Sequence, residues 1–260
     1  MVNLFGKGFI GSRYEEMYEC VVNERNDLIP KLSNVLYMIS TTDNYNIITN
    51  PYIDIETNLT TLIRVLENCK NKNMTFNFIS SWFVYGDSPM PCTENSPCNP
   101  RGFYSITKRT AEQLLIDYCE EYDINYRVLR LANVIGPNDK HASSKKNVIT
   151  YVAKRLVAGL PVELHDNGDF YRDYIHVDDA CNAINLVVTK GELNTIYNIG
   201  NNDPIKFRDA VNYIVDVTNS TSTITNLPRN VRDMNLDCRK LFALGYKPTH
   251  NTNDMLSSLL

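Results

Sequence analysis

The chain has 260 residues, 43% of them hydrophobic and 22% charged, with a formal net charge of −4. That is enough apolar material for a substantial core, and it excludes general disorder. The mild acidity gives no case for a nucleic-acid partner, no apolar run is long enough to cross a membrane, and the start lacks a secretory pattern, so a cytoplasmic protein is expected.

Seven scattered cysteines with no CxxC suit reduced thiols rather than a disulfide framework or a zinc site. His141, His165, His176 and His250 share no close spacing, and no metal site is expected.

Val2 to Phe5 reads as a short strand running into Gly6-Lys7-Gly8-Phe9-Ile10-Gly11, a GxGxxG that precedes helix-like residues up to Tyr18. A strand before and a helix after make this the dinucleotide-binding fingerprint: the glycines allow a tight turn and a close approach to a pyrophosphate at the helix N-terminus. The bland alternative is a glycine-rich turn without a ligand. The helix is expected to be short, because a strand over Glu19 to Val22 follows early. The acid that would bind the adenosine ribose should stand about 20 residues past the glycines. The chain offers Asn23, Glu24 and Arg25 there.

Val35 to Ser40 reads as a buried strand, and Leu59, Leu62, Ile63 and Leu66 recur at helical spacing between Ile55 and Cys69. Phe76 to Tyr85 is a further buried strand carrying Ser80 and Ser81 and ending at Gly86. Past a proline-rich loop, Tyr104 and Lys108 share one face of a new helix at i,i+4. A phenol ionises near pH 10, so it needs a cation such as Lys108 to work as a base at neutral pH. With Ser81 to hold a substrate oxygen, the three form an acid/base constellation without histidine or metal. Such pairs are also common on plain surface helices.

Tyr126 to Leu131 is the next strand, ended by Gly136-Pro137; a helix over Val148 to Gly159 and a strand over Val162 to His165 follow. Arg172 carries the planar fork suited to a phosphate, its alternative being an ion pair with Asp173 or Asp169. Asp178 and Asp179 read as first-turn helix carboxylates, not catalysts.

The ordered segments ISSWFVYGD, NPRGFYSITK, RLANVIGP and DYIHVDDA, with LGYKP near the end, resemble the extended short-chain dehydrogenase/reductases, in particular the NAD-dependent epimerase/dehydratase family acting on nucleotide sugars. One departure is Phe5, which stands where that family usually has the first glycine of its loop.

The resemblance implies an α/β fold: a Rossmann-type doubly wound parallel sheet over 1–137, rejoined by about 173–200, and a smaller substrate lobe mainly from 138–260. It implies Ser81, Tyr104 and Lys108 as catalytic residues. Around NADP or NAD it places Gly6, Lys7, Gly8, Phe9, Ile10, Gly11, Ser40, Thr41, Thr42 and Asn58, together with Tyr104 and Lys108. Lys7 and Arg25 near the adenosine ribose lean the choice to NADP, whereas an inward Glu24 would restore NAD. Ser81, Asn133, Arg172 and Arg229 (or Arg232 in its place) are implied for the nucleotide-sugar substrate, and a homodimer through helices matching 56–70 and 105–121 is expected.

In the family's 4,6-dehydratases carboxylates follow the catalytic hydroxyl. Here Trp82 and Phe83 stand in those places, which points to a 4-ketoreductase or 4-epimerase. The rival from another class is a non-catalytic NAD(P)-binding regulator on the same fold. It would be expected to lose the Ser–Tyr–Lys set, which this chain keeps.

Overall fold

A computed structural model describes every residue except 43–45, 141, 144–146 and 229–230. In chain order the strands of the main sheet are Val2–Phe5, Cys20–Val22, Asn34–Tyr37, Thr75–Ser81, Asn125–Leu131 and Thr195–Ile199. Across the sheet they lie second, first, third, fourth, fifth, sixth, and all pairs are parallel. Buried apolar strands of this kind need cover on both faces, and helices supply it. Leu4, Leu36 and Leu129 point to a core built with helices Phe9–Met17 and Val177–Lys190. Phe5, Tyr37, Phe78 and Val128 point the other way, against Thr61–Glu67 and Phe103–Glu121. This is the α/β doubly wound architecture expected from the sequence.

The first helix is short, nine residues, as the early second strand requires. From that second strand the chain crosses the first strand and returns to the third through residues 23–33, with no helix. The buried amide of Asn3 holds this crossover. Its nitrogen donates to the Val21 carbonyl and to Asn23 Oδ1, and its oxygen accepts the Lys31 and Leu32 amides.

A third apolar cluster lies between helices Val148–Val157, Phe207–Thr218 and Thr252–Ser257. It also takes in the strand Val162–His165, which pairs with Ile224–Leu227. Two short strands, Asn133–Ile135 and Tyr174–His176, pair in parallel and tie the chain leaving the fifth strand to the segment that carries Arg172. The chain returns to the sheet through helix Val177–Lys190 and its sixth strand. Among the described residues no helix is long and apolar enough to cross a membrane.

Candidate active site

A cleft of about 670 Å³ opens at the carboxyl ends of the first, third, fourth and fifth strands. That is where doubly wound sheets bind ligands, beside the point at which the strand order reverses. Gly6, Gly8, Phe9, Ile10 and Gly11 form one wall; Ser81, Trp82 and Phe83 form the next, above Tyr104 and Lys108. Asn133, Asp139 and Asn147 also line the cleft.

The glycines do different work. Gly6 has φ +102 and lies against the backbone of Met38 and Ile39, and a Cβ on Gly11 would lie 2.1 Å from the Gly6 carbonyl oxygen. Both are needed to build the turn. Gly8 has φ −94, which any residue can adopt, and a Cβ there would meet no protein atom within 4 Å. Its missing side chain leaves room on the cleft wall instead. Gly8 is also the N-cap of helix Phe9–Met17 and makes no side-chain cap, so the leading amides of that helix have no side-chain partner. Open space beside such amides fits a dinucleotide pyrophosphate.

Helix Phe103–Glu121 follows Gly102, whose φ of +91 makes the sharp entry. Its i,i+4,i+8 face presents Tyr104, Lys108 and Glu112 to the sheet, all three buried. Burial pushes the Tyr104 phenol up to about 12; the hydroxyls of Ser81 and Ser40 pull it back down, and Asp54 raises it. Ser81 Oγ accepts the Phe83 amide at 3.3 Å, which leaves its own proton to donate.

Lys108 Nζ donates to the Ile79 carbonyl at 2.7 Å and lies 4.2 Å from the centre of the Phe78 ring. Burial lowers its pKa to about 7, with Glu112 acting against the fall. The expectation that Lys108 lowers the phenol is thus not met in this structure. Buried and engaged under the strand, Lys108 is not among the groups that move the phenol, and two hydroxyls take that part.

Glu112 escaped the sequence reading. Its carboxylate accepts Arg130 at 3.0 and 2.8 Å, Arg109 at 2.9 Å and Ser80 Oγ at 2.5 Å, all beneath the catalytic face. The signal available was its place one further turn after Tyr104 and Lys108.

Asn58 does not line the cleft. It is buried in a π-turn, Glu56–Thr60, and all four of its hydrogen bonds are made within the protein. Its oxygen accepts Ser40 Oγ and the Thr41 amide; its nitrogen donates to Thr41 Oγ1 and Thr107 Oγ1. Thr107 in turn donates to the Tyr104 carbonyl. Asn58 therefore ties the loop carrying Ser40 and Thr42, which do face the cleft, to the helix carrying Tyr104.

Asn133 lines the cleft, accepting Trp82 Nε1 at 3.3 Å and donating to the Asp173 carbonyl. Arg172 stands behind Trp82, its guanidinium 5.8 Å from that ring and 4.5 Å from Phe170, with donors on the carbonyls of Tyr171 and Arg232. Neither Asp173 nor Asp169 takes it: Asp169 pairs with Lys206 and Arg208. Arg229 lies outside the described residues, as does His141.

At the adenosine end the structure gathers less. Lys7 pairs with Glu15 at 2.7 Å and does not line the cleft. Glu24 and Arg25 are exposed, and Asn23 is spent on Asn3 and on the carbonyls of Asp27 and Ile29. The expected pair of free cations is therefore reduced, since Glu15 neutralises Lys7.

Two histidines that no spacing brought together do meet. His176 and His250 stack at 3.8 Å beside Asp178. His176 Nδ1 accepts the Asp178 amide, the Asp178 carboxylate holds Arg13, and the Asp179 carboxylate lies 3.0 Å from His250 Nδ1. These contacts fasten the start of helix Val177–Lys190, in keeping with structural roles for both aspartates.

The sequence profile of the NAD dependent epimerase/dehydratase family matches residues 24–200. A dTDP-glucose 4,6-dehydratase of Salmonella typhimurium is 30% identical over 234 residues, covering 77% of this chain and 64% of that protein. A trifunctional UDP-glucose 4,6-dehydratase, 3,5-epimerase and reductase of Arabidopsis thaliana is 31% identical over 193 residues, covering 70% of this chain and 28% of that protein. The chain thus spans less than two thirds of either relative. Among solved structures, the UDP-glucose 4-epimerase of Thermotoga maritima with UDP-glucose has a TM-score of 0.88 at 24% identity, over 99% of this chain and 97% of that one. RMD from Pseudomonas aeruginosa, complexed with NADPH, also has a TM-score of 0.88, at 23% identity, over 100% and 97%. These likenesses establish the fold.

Proposed function

Because the chain belongs to the NAD dependent epimerase/dehydratase family, we propose that it binds a nicotinamide dinucleotide and a nucleotide sugar in this cleft and interconverts a C4 hydroxyl and a C4 ketone on a nucleoside-diphosphate hexose. The observation that carries the proposal is the meeting of Ser81, Tyr104 and Lys108 on one floor, with the Gly6–Gly11 turn as its wall. When bound, the nicotinamide supplies or accepts the hydride. The chain's own residues handle the oxygen and its proton. Ser81 donates to the sugar oxygen and fixes it beside the phenol. Tyr104 gives its proton to that oxygen during reduction and takes it back during oxidation. Lys108 holds its ammonium on the Ile79 carbonyl beneath, where a bound anion would raise its charged fraction.

The relatives named above as dehydratases eliminate water, which needs an acid beside the reacting carbon. Next to Ser81 this chain has Trp82 and Phe83, which cannot exchange protons. Among the described residues lining the cleft the carboxylate is Asp139, which accepts Asn147 at 2.7 Å. That favours a 4-ketoreductase or 4-epimerase. NADP is the preferred cofactor on the strength of exposed Arg25, and exposed Ile63, Ile106 and Leu114 on the two neighbouring helices supply an apolar face for a homodimer.

Tyr104→Phe tests the proposal. It removes one oxygen and should leave folding and cofactor binding intact, while turnover of nucleotide sugars falls by at least about 100-fold. Turnover near that of the wild type would reject the assignment. Conversion of nucleoside-diphosphate glucose to its 4-keto-6-deoxy product by the wild type would reject the narrowing.

A further inference from the structure

A second hollow, of about 390 Å³, opens where two helices end away from the cleft. Helix Phe9–Met17 starts on the cleft wall and runs about 13 Å, at 1.5 Å per residue, before the chain reaches Tyr18 in the hollow. Helix Val177–Lys190 brings Asn182, Asn185 and Lys190 to the same place, and the turn carrying Lys247 closes it. Two phenols hold the carboxamides. Tyr14 donates to Asn185 Oδ1 at 3.0 Å, and Tyr18 donates to Asn182 Oδ1 at 2.6 Å. A carboxamide with its oxygen engaged is left with its NH2 group, a donor, and neither nitrogen has a hydrogen-bond partner among the described residues. Lys190 and Lys247 are exposed, and among the described residues neither is in an ion pair and no carboxylate lines the hollow.

We infer that this hollow is a binding site for a small phosphate-bearing molecule, held by the ammonium groups of Lys190 and Lys247 and the carboxamide nitrogens of Asn182 and Asn185. Cations and donors without an acid select an anion, and bonds from an ammonium to a phosphate oxygen are of the stronger, charge-assisted kind. A phosphate dianion offers enough acceptor oxygens for donors arriving from four side chains, more than a single carboxylate can use. Tyr18 and Leu186 add apolar surface against which the carbon part of a phosphate ester can lie. Lys190 by itself would suit the end of its helix, where a cation meets the carbonyl dipoles. Lys247 belongs to another segment, and the tyrosine bonds that fasten the two helices use the carboxamide oxygens and leave the nitrogens over. No lining residue is shared with the cleft, so the inference is independent of the proposed C4 chemistry.

The experiment titrates inorganic phosphate and glycerol 3-phosphate into the full chain at fixed ionic strength, with chloride as the balancing anion. The readout is the side-chain NH2 signals of Asn182 and Asn185 in nitrogen–proton correlation spectra, assigned by their loss in Asn182→Asp and Asn185→Asp. Each aspartate keeps an oxygen for its tyrosine, so these variants should fold, yet each sets a negative charge against the ligand. The inference expects saturable shifts with a dissociation constant of about 1 mM or lower for at least one of the two compounds. Lys190→Gln combined with Lys247→Gln should weaken that binding by about ten-fold or more, and either aspartate should abolish it at the remaining carboxamide. Tighter binding of glycerol 3-phosphate assigns the site to a phosphate ester; equal or weaker binding assigns it to phosphate itself. Absent or unsaturable shifts at both carboxamides, or an affinity unchanged by the paired lysine substitutions, would overturn the site.

Discussion

The two ends of the cleft are built differently. At the phenol end, a seven-residue strand and a 19-residue helix bring Ser81, Tyr104 and Lys108 together, and the buried Glu112–Arg130 pair and the Asn58 hydrogen bonds fix that helix from below. At the adenosine end, a nine-residue helix and a three-residue strand lead into a crossover without a helix, where Asn23 is used up internally and Arg25 faces water. Long elements with buried polar partners hold side chains to the tolerance that chemistry needs. A short edge can recognise a ligand without being organised in advance. Substitutions at the first end should therefore act strongly and specifically, and at the second weakly.

After the loss expected of Tyr104→Phe, the next largest effect in this contrast is expected of Arg172, which stands behind Trp82. Arg172→Ala should weaken nucleotide-sugar binding by about 30-fold or more, the usual cost of truncating a desolvated charge partner. Dinucleotide binding should hardly change, and Arg172→Lys should recover part of the loss, having charge without the fork. Calorimetry with both ligands checks this; equal losses would return Arg172 to a structural role on Phe170 and Trp82.

Lys108 gives an intermediate effect, read in stability. Its folded pKa is lowered to about 7 from 10.5, so between those values the unfolded chain holds a proton that the folded one does not. Stability from this site is thus complete above the unfolded value and is lost as pH falls toward 7. Urea midpoints between about pH 7 and 9 should climb more steeply for the wild type than for Lys108→Met, by at most on the order of 1 kcal/mol per pH unit. Parallel slopes would mean that the ammonium stays charged in the fold.

The smallest effect belongs to the adenosine end. With Lys7 paired to Glu15, Arg25 is left to favour a 2′-phosphate, and at an exposed position the gain is screened. Arg25→Ala should reduce NADPH affinity by about two- to five-fold and leave NADH affinity unchanged. NADH binding as tightly as NADPH before and after the change would remove the cationic argument.

Much of this was legible in the sequence because it rests on local rules. The strand–GxGxxG–helix order, the shortness of that helix and the Tyr–Lys face are matters of spacing along one segment. What escaped depends on residues far apart in the chain. Glu112 and Arg130 meet because the 103–121 helix packs on the fifth strand, and Asn58 ties the loop carrying Ser40 to Thr107 on the helix that carries Tyr104. Lys108 was read for its charge, but the charge is set by depth of burial, which spacing does not report. The ion pair of Lys7 with Glu15 needed a helical turn to be seen, and that turn begins inside the glycine loop itself.

The Asn3 amide has a consequence for residence time. It takes the place of a packed helix in holding the crossover, so the edge that would receive an adenosine is one loop thick. A dinucleotide bound there would have most of its hold at the pyrophosphate and nicotinamide, and its departure would begin from the adenosine side. For a reductase, which must discard its spent cofactor after each cycle, the motion of residues 23–33 would then help set the turnover rate. For an epimerase, which returns the hydride before release, the same motion would leave turnover untouched. Stiffening that loop is thus a kinetic probe of which of the two reactions the protein performs.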